Sequence, residues 1–402
     1  MIRHLLKMVW NRKRKNALLS VEIFFSFLVL FPVVVFAVYF ADNYRQTLGF
    51  DYHDVMTVGV RTNESGILPE DRKARALRDG LATEAMLREL SSMPEIESTG
   101  GTWSEAFGNS HWDSTLNYKN RTAQADRDYA TADVWKVLRI QIERGRWFSA
   151  NDDGARYVAM VINRKLAASL FAGEDPLGKL VEEGDNEHKT IYRICGIIGE
   201  FKQAGELADP GPYAFARWSP ALDGALRTIA VRVRPGTPAS VEGALLKRLQ
   251  ALHRDWSFQV ERTEKARHSA LKSRLLVLGA GALVALLLIL MVGLGMVGVL
   301  WQSITRRSRE IGVRRALGAT AGAVYRQILG ELLVVTSAGL ALGLLIVVQL
   351  PLLQILGWVR GELVALSAAI AMALIYALAI AAGLYPSWLA GRVQPAVVLR
   401  SE

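Results

Sequence analysis

The chain has 402 residues, of which 51% are hydrophobic and 21% are charged, and its mean hydropathy is +0.19. This composition excludes a disordered chain, and the single cysteine excludes a scaffold held together by internal disulfides. The 48 Lys and Arg residues exceed the 38 Asp and Glu residues, which gives a net charge of +10. Together with long charge-free stretches, these values are typical of a membrane protein with one basic side.

Residues 1–17 carry six basic side chains and no acidic one. Apolar residues recur at i, i+3, i+4 and i+7 from Ile2, which predicts an amphipathic helix lying on the cytoplasmic membrane surface. A first membrane span is predicted at 20–41. It stays in the mature protein as an anchor, because no small-residue cleavage site follows it.

Residues 42–272 have the composition of a folded, water-exposed domain. Near both ends of this segment, a strand-like alternation, a helical spacing and a second alternation follow one another. We therefore expect two βαβ units that pair as one ferredoxin-like lobe over 50–105 and 226–265. Residues 106–225 would form an inserted lobe of mixed α/β structure.

Three further apolar stretches are long enough to cross a bilayer, which takes about 20 helical residues. They predict spans at 273–302, 325–356 and 362–388, followed by a tail at 389–402. The segment after the second span carries six arginines against two glutamates. The positive-inside rule therefore places both termini and this segment in the cytoplasm, and the large domain outside. The predicted fold is a membrane domain of four helices with a large α+β extracytoplasmic domain.

Two glycine patterns match nucleotide-binding motifs only in part. Gly173, Gly178 and Lys179 reproduce most of a phosphate-binding loop, but Leu180 follows where Mg²⁺ chemistry needs Ser or Thr. The glycines at 293, 295 and 298, and those at 339 and 343, lie within spans, where they predict close helix packing. The six histidines and one cysteine never fall at metal-ligand spacing, and no catalytic motif occurs. We expect no metal, no cofactor and no enzymatic activity.

Residues 303–320 are short and basic, and they predict a separate helix that ends near Gly318. One interpretation is a solvated connector that faces the lipid. The other is a docking element for a soluble partner. In that case apolar residues such as Ile311 would supply contact area, and Glu310, Arg314 and Arg315 would set the register.

The run Arg309–Ala319 resembles the signature that follows the second span in permeases of the macrolide-exporter (MacB) and FtsX superfamily of ABC transporters. Four other runs resemble the periplasmic core domain of the same group, namely Gly145–Phe148, Val161–Asn163, Asp175–Lys179 and Gly196–Ile198. The likeness covers most of the chain.

This resemblance implies a non-catalytic permease subunit in a bacterial inner membrane, with porter-like and inserted lobes in the periplasm. ATP would be hydrolysed by a separate ATP-binding subunit, present in two copies, and its motion would move the periplasmic lobes. The resemblance also implies a coupling helix over 303–320, whose contact residues are Arg306, Arg307, Arg309, Glu310, Ile311, Gly312, Arg314, Arg315, Ala316, Leu317 and Gly318.

Efflux of a hydrophobic drug, peptide or similar molecule is the function that this likeness favours, with a periplasmic adaptor and an outer-membrane channel as further partners. Lipoprotein release and activation of a cell-wall hydrolase remain alternatives within the superfamily. A membrane receptor or sensor is the alternative from another class. Val21–Phe27 replaces the usual glycine-rich opening of the first span, so a heterodimer with a sister permease stays open beside a homodimer.

Overall fold

A computed structural model describes residues 13–62, 72–108, 110, 112–184, 189–317 and 319–391. The chain divides into two compact units, which we call the membrane unit (Met1–Asp42 with Leu275–Glu402) and the extracytoplasmic unit (Asn43–Arg274). Most of the predicted N-terminal amphipathic helix and of the predicted tail lies outside the described residues.

The helices of the described residues are numbered in chain order as α1 (Lys13–Tyr44), α2 (Arg72–Ser91), α3 (Val134–Val137), α4 (Arg164–Phe171), α5 (Pro220–Asp223), α6 (Val241–Leu252), α7 (Thr263–Ala316), α8 (Ala321–Leu352) and α9 (Gly361–Gly391). The strands are β1 (Val55–Arg61), β2 (Ile96–Thr102), β3 (Asp113–Tyr118), β4 (Arg121–Ala130), β5 (Ile142–Gly145), β6 (Val158–Asn163), β7 (Leu180–Glu183), β8 (Thr190–Ile198), β9 (Tyr213–Arg217), β10 (Thr228–Val233) and β11 (Ser257–Arg262).

Four helices are long and apolar enough to cross a membrane, over Ala17–Tyr44, Thr263–Arg307, Ala321–Leu352 and Gly361–Leu384. Each contains or overlaps one of the predicted spans. The predicted end of the third span at 356 is wrong, because α8 ends at Leu352. Pro351 cannot continue the backbone ladder, and Gln354 adopts the left-handed conformation with φ 58°.

Close contact between α1 and α8 depends on two glycines. A Cβ at Gly339 would lie 2.6 Å from the Ser20 carbonyl oxygen, and a Cβ at Gly343 would overlap the Phe27 ring. The Ser20 hydroxyl also donates to the Val335 carbonyl at 3.2 Å. This confirms the predicted role of these glycines, since helices in lipid associate through close backbone approach and hydrogen bonds between helices.

The glycines of α7 follow the prediction only in part. A Cβ at Gly293 would lie 3.2 Å from Leu378, and a Cβ at Gly295 would lie 2.9 Å from the carboxylate of Glu22. Gly298 has no such neighbour within 4 Å. Close packing is therefore confirmed for the first two positions and is wrong for the third.

The prediction of a separate coupling helix is wrong in one respect. Residues 303–316 continue α7 without a break, so that helix extends over 54 residues from Thr263 to Ala316. The arginines and glutamate of this segment are good helix formers, and Gly312 alone does not interrupt the backbone hydrogen bonds. The next helix begins after Thr320.

The extracytoplasmic unit contains a ferredoxin-like lobe. Its strands lie in the order β11–β1–β10–β2 and are antiparallel throughout. Residues of α2 and α6 pack on one face of this sheet. The core that results is apolar and includes Met56, Val58, Val60, Met86, Leu90, Ile229, Val231, Leu245 and Leu249. The strand order is that of two interleaved βαβ units, which confirms the predicted ferredoxin-like lobe.

The inserted lobe is a closed barrel of six strands, in the ring order β4–β3–β7–β8–β6–β9. Parallel pairing of β4 with β9 closes the ring, and this closure leaves the six strands without a free edge. Leu166, Leu170 and Phe171 of α4 contribute to its core. The barrel joins the ferredoxin-like sheet through the pairing of Thr102 with Ala130.

Candidate functional site

The C-terminal end of α7 carries the residues that we predict to contact an ATPase. Arg306 has an exposed side chain, and Val313 and Leu317 are 42% and 83% exposed. The backbone from Arg309 to Ala316 is helical, while the side chains at 308–312 and 314–316 and the whole of Gly318 lie outside what the structure describes. The described side chains therefore present an apolar and basic surface at the end of a long helix.

Arg307 pairs with a residue of α8 within the membrane unit. Its Nη1 atom donates to both carboxylate oxygens of Glu331 in α8, at 3.0 Å each, and the two side chains are 14% and 18% exposed. Gln327 donates to the same carboxylate at 3.3 Å. Charged hydrogen bonds between partly buried groups are stronger than exposed ones. Arg307 therefore holds the end of α7 against the start of α8.

Sequence reasoning missed Glu331 as a functional residue. The side chain lies at the beginning of an apolar run, where an unpaired carboxylate is unfavourable and requires a partner. That placement was a usable signal, but it could not identify Arg307 among six nearby arginines. Only the packing of α7 on α8 selects the partner.

The start of α8 is fixed by a helix cap. Thr320 has extended backbone, and its side-chain oxygen accepts a hydrogen bond from the Ala323 backbone N–H at 3.2 Å. Capping satisfies one of the unpaired amides of the first turn. The turn between α7 and α8 therefore has a defined end immediately after the predicted contact residues.

The glycine-rich run at Gly173–Lys179 has the opposite polarity to a phosphate-binding loop. It follows the C-terminal end of α4 and precedes β7, whereas phosphate loops follow a strand and precede a helix. The Asp175 carboxylate also accepts from Arg144 at 2.8 Å. Two amides of this run are already bonded, since Gly178 donates to the Ile194 carbonyl and Leu177 donates to the Asp175 carboxylate.

Cys195 is the one cysteine of the chain, and it lies in β8 with its thiol donating to the Met160 carbonyl at 3.3 Å. Burial raises the pKa of this thiol to about 11. Because the thiolate is the reactive form, this thiol is less reactive at neutral pH than an ordinary cysteine.

Two family descriptions match this chain and together cover most of it. Residues 33–248 match the MacB-like periplasmic core domain, and residues 282–395 match the FtsX-like permease C-terminal domain. The first match alone spans more than half of the chain. The protein therefore belongs to the MacB/FtsX-type permeases of ABC transporters, and it is a multi-pass membrane protein.

Relatives with established names are macrolide export ATP-binding/permease proteins MacB. The protein from Bordetella avium is 26% identical over 368 residues, which cover 87% of this chain and 53% of that protein. The protein from Marinobacter nauticus is 25% identical over 356 residues, covering 86% and 50%. The chain thus spans about half the length of the relatives that it matches.

Solved structures resemble the extracytoplasmic unit at low identity. The periplasmic region of MacB from Actinobacillus actinomycetemcomitans is 18% identical, covers 55% of this chain and 94% of that chain, and has a TM-score of 0.40. The extracellular domain of the transporter YknZ from Gram-positive bacteria is 14% identical, with coverages of 51% and 99% and a TM-score of 0.35.

Proposed function

We propose that this permease converts the motion of an ATP-binding subunit into movement of its extracytoplasmic lobes. The observation that carries the proposal is the single helix α7, which extends from Thr263, directly after β11, to Ala316 among the predicted contact residues. A continuous helix transmits displacement along its axis without a hinge. A push at its cytoplasmic end would then reach the extracytoplasmic unit.

The proposed partners are two copies of an ATP-binding subunit and a second permease, either identical or a sister chain. Contact with the ATP-binding subunit is assigned to the predicted set from Arg306 to Gly318. Within it we assign Arg307 a positioning role, because its guanidinium is already bound to Glu331. The exposed Val313 and Leu317 side chains supply apolar area.

For the cargo we propose a hydrophobic drug, peptide or similar molecule that is exported, as the names of the relatives suggest for macrolides. An adaptor and an outer-membrane channel would complete the path. We place the chain in a bacterial inner membrane with both termini in the cytoplasm, because basic residues concentrate at 1–17 and 303–331.

The proposal is tested by removing a charge pair from the end of α7. In the variant Glu310→Gln/Arg314→Gln, we expect normal insertion and folding but loss of co-purified, vanadate-sensitive ATP hydrolysis from native membranes. The lost interface energy should be on the order of 2 to 5 kcal/mol if the charges are desolvated by the partner.

The control is Arg254→Gln/Asp255→Asn, which removes one exposed charge of each sign from the turn between α6 and β11 and should leave ATP hydrolysis unchanged. Full ATPase activity in the first variant would show that the end of α7 is a lipid-facing connector.

A further inference from the structure

The extracytoplasmic end of α1 is held by one loop of the barrel lobe. Asn43, the penultimate residue of α1, is 2% exposed, and Lys202, in the loop after β8, is 1% exposed. The Lys202 ammonium donates to the Asn43 carbonyl at 2.6 Å and to the Glu206 carbonyl at 3.4 Å. The side-chain amide of Asn43 donates in return to the Leu207 carbonyl at 3.3 Å. The loop therefore bonds to both the backbone carbonyl and the side chain of Asn43.

The position of Lys202 suits a buried cation. The last carbonyls of a helix have no partner within the helix, and they form the negative end of its dipole. An ammonium group at that end satisfies these oxygens and gains electrostatic stabilisation, which offsets part of the unfavourable burial of its charge. Lys202 acts as a side-chain cap for α1 that comes from a distant part of the chain.

The same loop binds α7. The Glu206 carboxylate pairs with the Arg267 guanidinium in the second turn of α7, and the two side chains are only 12% and 19% exposed. The guanidinium also lies over the Tyr52 ring, 5.1 Å from its centroid. Because both groups are charged, the hydrogen bond between them is stronger than one between neutral groups.

The backbone between α1 and β1 approaches this loop closely. The Lys202 amide donates to the Leu48 carbonyl at 3.0 Å, and the Phe201 ring packs on Phe50 with centroids 5.2 Å apart. Gly49 adopts φ +86°, and a Cβ there would overlap the Glu200 carbonyl. Glycine is required at this point of contact.

The ferredoxin-like lobe has its own attachment to α7. Strand β11 ends at Arg262 and leads directly into Thr263, the first residue of α7. The Thr263 hydroxyl lies 3.0 Å from the Thr57 hydroxyl of β1, and both residues are buried. The barrel lobe is instead attached through the loop at 201–207, which follows β8 and precedes β9.

We infer that Asn43, Lys202, Glu206 and Arg267 form a junction clamp that joins the barrel lobe directly to α1 and α7. Movement of these helix ends carries the barrel as one body, without passing first through the ferredoxin-like lobe. Lys202 and Glu206 are positioning residues in this arrangement. Their part in transport rests on the proposed function, whereas the mechanical connection stands independently of it.

The connection is tested with spin labels on the full-length protein in detergent. Exposed serines provide the sites, as Ser169→Cys in α4 on the barrel, Ser240→Cys before α6 in the ferredoxin-like lobe, and Ser273→Cys in α7. Cys195→Ala is introduced in every variant, so that only the added cysteines carry a label. Distances are measured by pulsed electron resonance for the pairs 169–273 and 240–273.

In the variant Arg267→Glu, two carboxylates face each other, so the 169–273 distribution should become at least twofold wider while the 240–273 distribution stays narrow. The exchange Glu206→Arg/Arg267→Glu should restore the narrow distribution. Lys202→Met, which removes the cap of α1, should also widen it. Lys165→Met, which breaks the barrel's exposed ion pair with Asp209, should change neither distribution.

Unchanged 169–273 distances in both Arg267→Glu and Lys202→Met would overturn the clamp. Widening of both distributions would also overturn it, because the substitutions would then loosen the whole extracytoplasmic unit. The same variants are assayed for co-purified ATP hydrolysis. If the distances respond as expected and that hydrolysis is unaffected, the clamp stands and the proposed transmission of motion is wrong.

Discussion

The two units of this protein are stabilised by different interactions. In the membrane unit, helices meet at glycines, as Gly339 meets Ser20, and a hydroxyl bonds to a carbonyl between α1 and α8. In the extracytoplasmic unit, buried charged groups bind backbone atoms around apolar cores. Arg232, which is 1% exposed, donates to the carbonyls of Val137, His53 and Asp51 at 2.6, 2.7 and 2.9 Å.

The difference follows from the surroundings in which each unit folds, which are water for the extracytoplasmic unit and lipid for the membrane unit. Water drives apolar side chains together, so the extracytoplasmic unit can bury a few charges if their hydrogen bonds are complete. Lipid provides no such force between helices, and contact there depends on shape. In α7, only 11% of the most apolar 18-residue stretch is buried within this chain. The corresponding stretches of α1, α8 and α9 are 39%, 39% and 33% buried. The helix assigned to transmit motion is therefore the least packed span.

The largest expected effect concerns Arg232. Replacing it with Met leaves three buried carbonyls without their donor, so the free energy of unfolding of the extracytoplasmic unit should fall by about 3 to 5 kcal/mol. Urea unfolding of the full-length protein, followed by tryptophan fluorescence, measures this change. Arg234→Met, at an exposed site two residues further along the chain, is the control and should change stability by less than about 0.5 kcal/mol. Equal losses in both variants would mean that the buried bonds are not what stabilises this unit.

Asp128 tests whether every buried charge in this unit is favourable. It accepts from the Trp103 amide at 2.9 Å and from the Ser104 amide at 3.2 Å, where the barrel meets the ferredoxin-like sheet. Burial nevertheless raises its pKa to about 7 from a usual value of 3.8. The protonated form therefore favours the folded state. This contribution is complete below about pH 4 and is lost as the pH rises through 7.

Asp128→Asn keeps an acceptor for both amides and removes the titration. At pH 8 the variant should be more stable than the original protein, by no more than about 4 kcal/mol, and the difference should shrink toward pH 4. Urea midpoints at several pH values measure this difference. A variant that is less stable at pH 8 would contradict the raised pKa.

Gly339→Ala tests close packing in the membrane unit. The added Cβ would lie 2.6 Å from the Ser20 carbonyl oxygen, which is backbone and cannot rotate away. We expect a loss of about 1 to 3 kcal/mol in detergent-induced unfolding, measured by circular dichroism. Gly298→Ala is the matched control, since no neighbour lies within 4 Å of its Cβ position. Similar losses in the two variants would indicate that helix contacts do not limit the stability of this unit.

The smallest expected effect concerns the cap of α8. Thr320→Ala removes the acceptor for the Ala323 amide and should destabilise the first turn by about 1 kcal/mol. Hydrogen exchange at residues 321–324 should quicken severalfold, while exchange in α9 stays unchanged. Thr320→Ser, which retains the hydroxyl, should restore the slow rate. No change in Thr320→Ala would mean that neighbouring packing alone orders this turn.

The four spans and the two βαβ units were predictable because both depend on local patterns. Runs of about 20 apolar residues have no other stable location than a membrane or a large core, and alternation with period 2 or 3.6 identifies strands and helices. The ferredoxin-like pairing of distant units followed from that repetition. The contact set could also be proposed from the sequence, because the run Arg309–Ala319 resembles a signature of the superfamily. What their side chains contact in a complex stays a prediction.

Closure of the barrel could not be predicted, because it depends on the parallel pairing of β4 with β9, which lie about 90 residues apart. The continuity of α7 with residues 303–316 could not be predicted either. A search for spans by hydropathy ends the second span where the charged residues begin, so the coupling segment was predicted as a separate helix.

The sequence by itself determined membrane insertion, the number of spans, the ferredoxin-like lobe and the family, since each rests on composition, periodicity or a contiguous run of residues. Only the tertiary structure decided which charges meet, as Lys202 meets the end of α1, Glu206 meets Arg267, and Arg307 meets Glu331. Such pairs form between residues that are 24 to 159 positions apart. Their energies depend on distance and burial, which no linear pattern encodes.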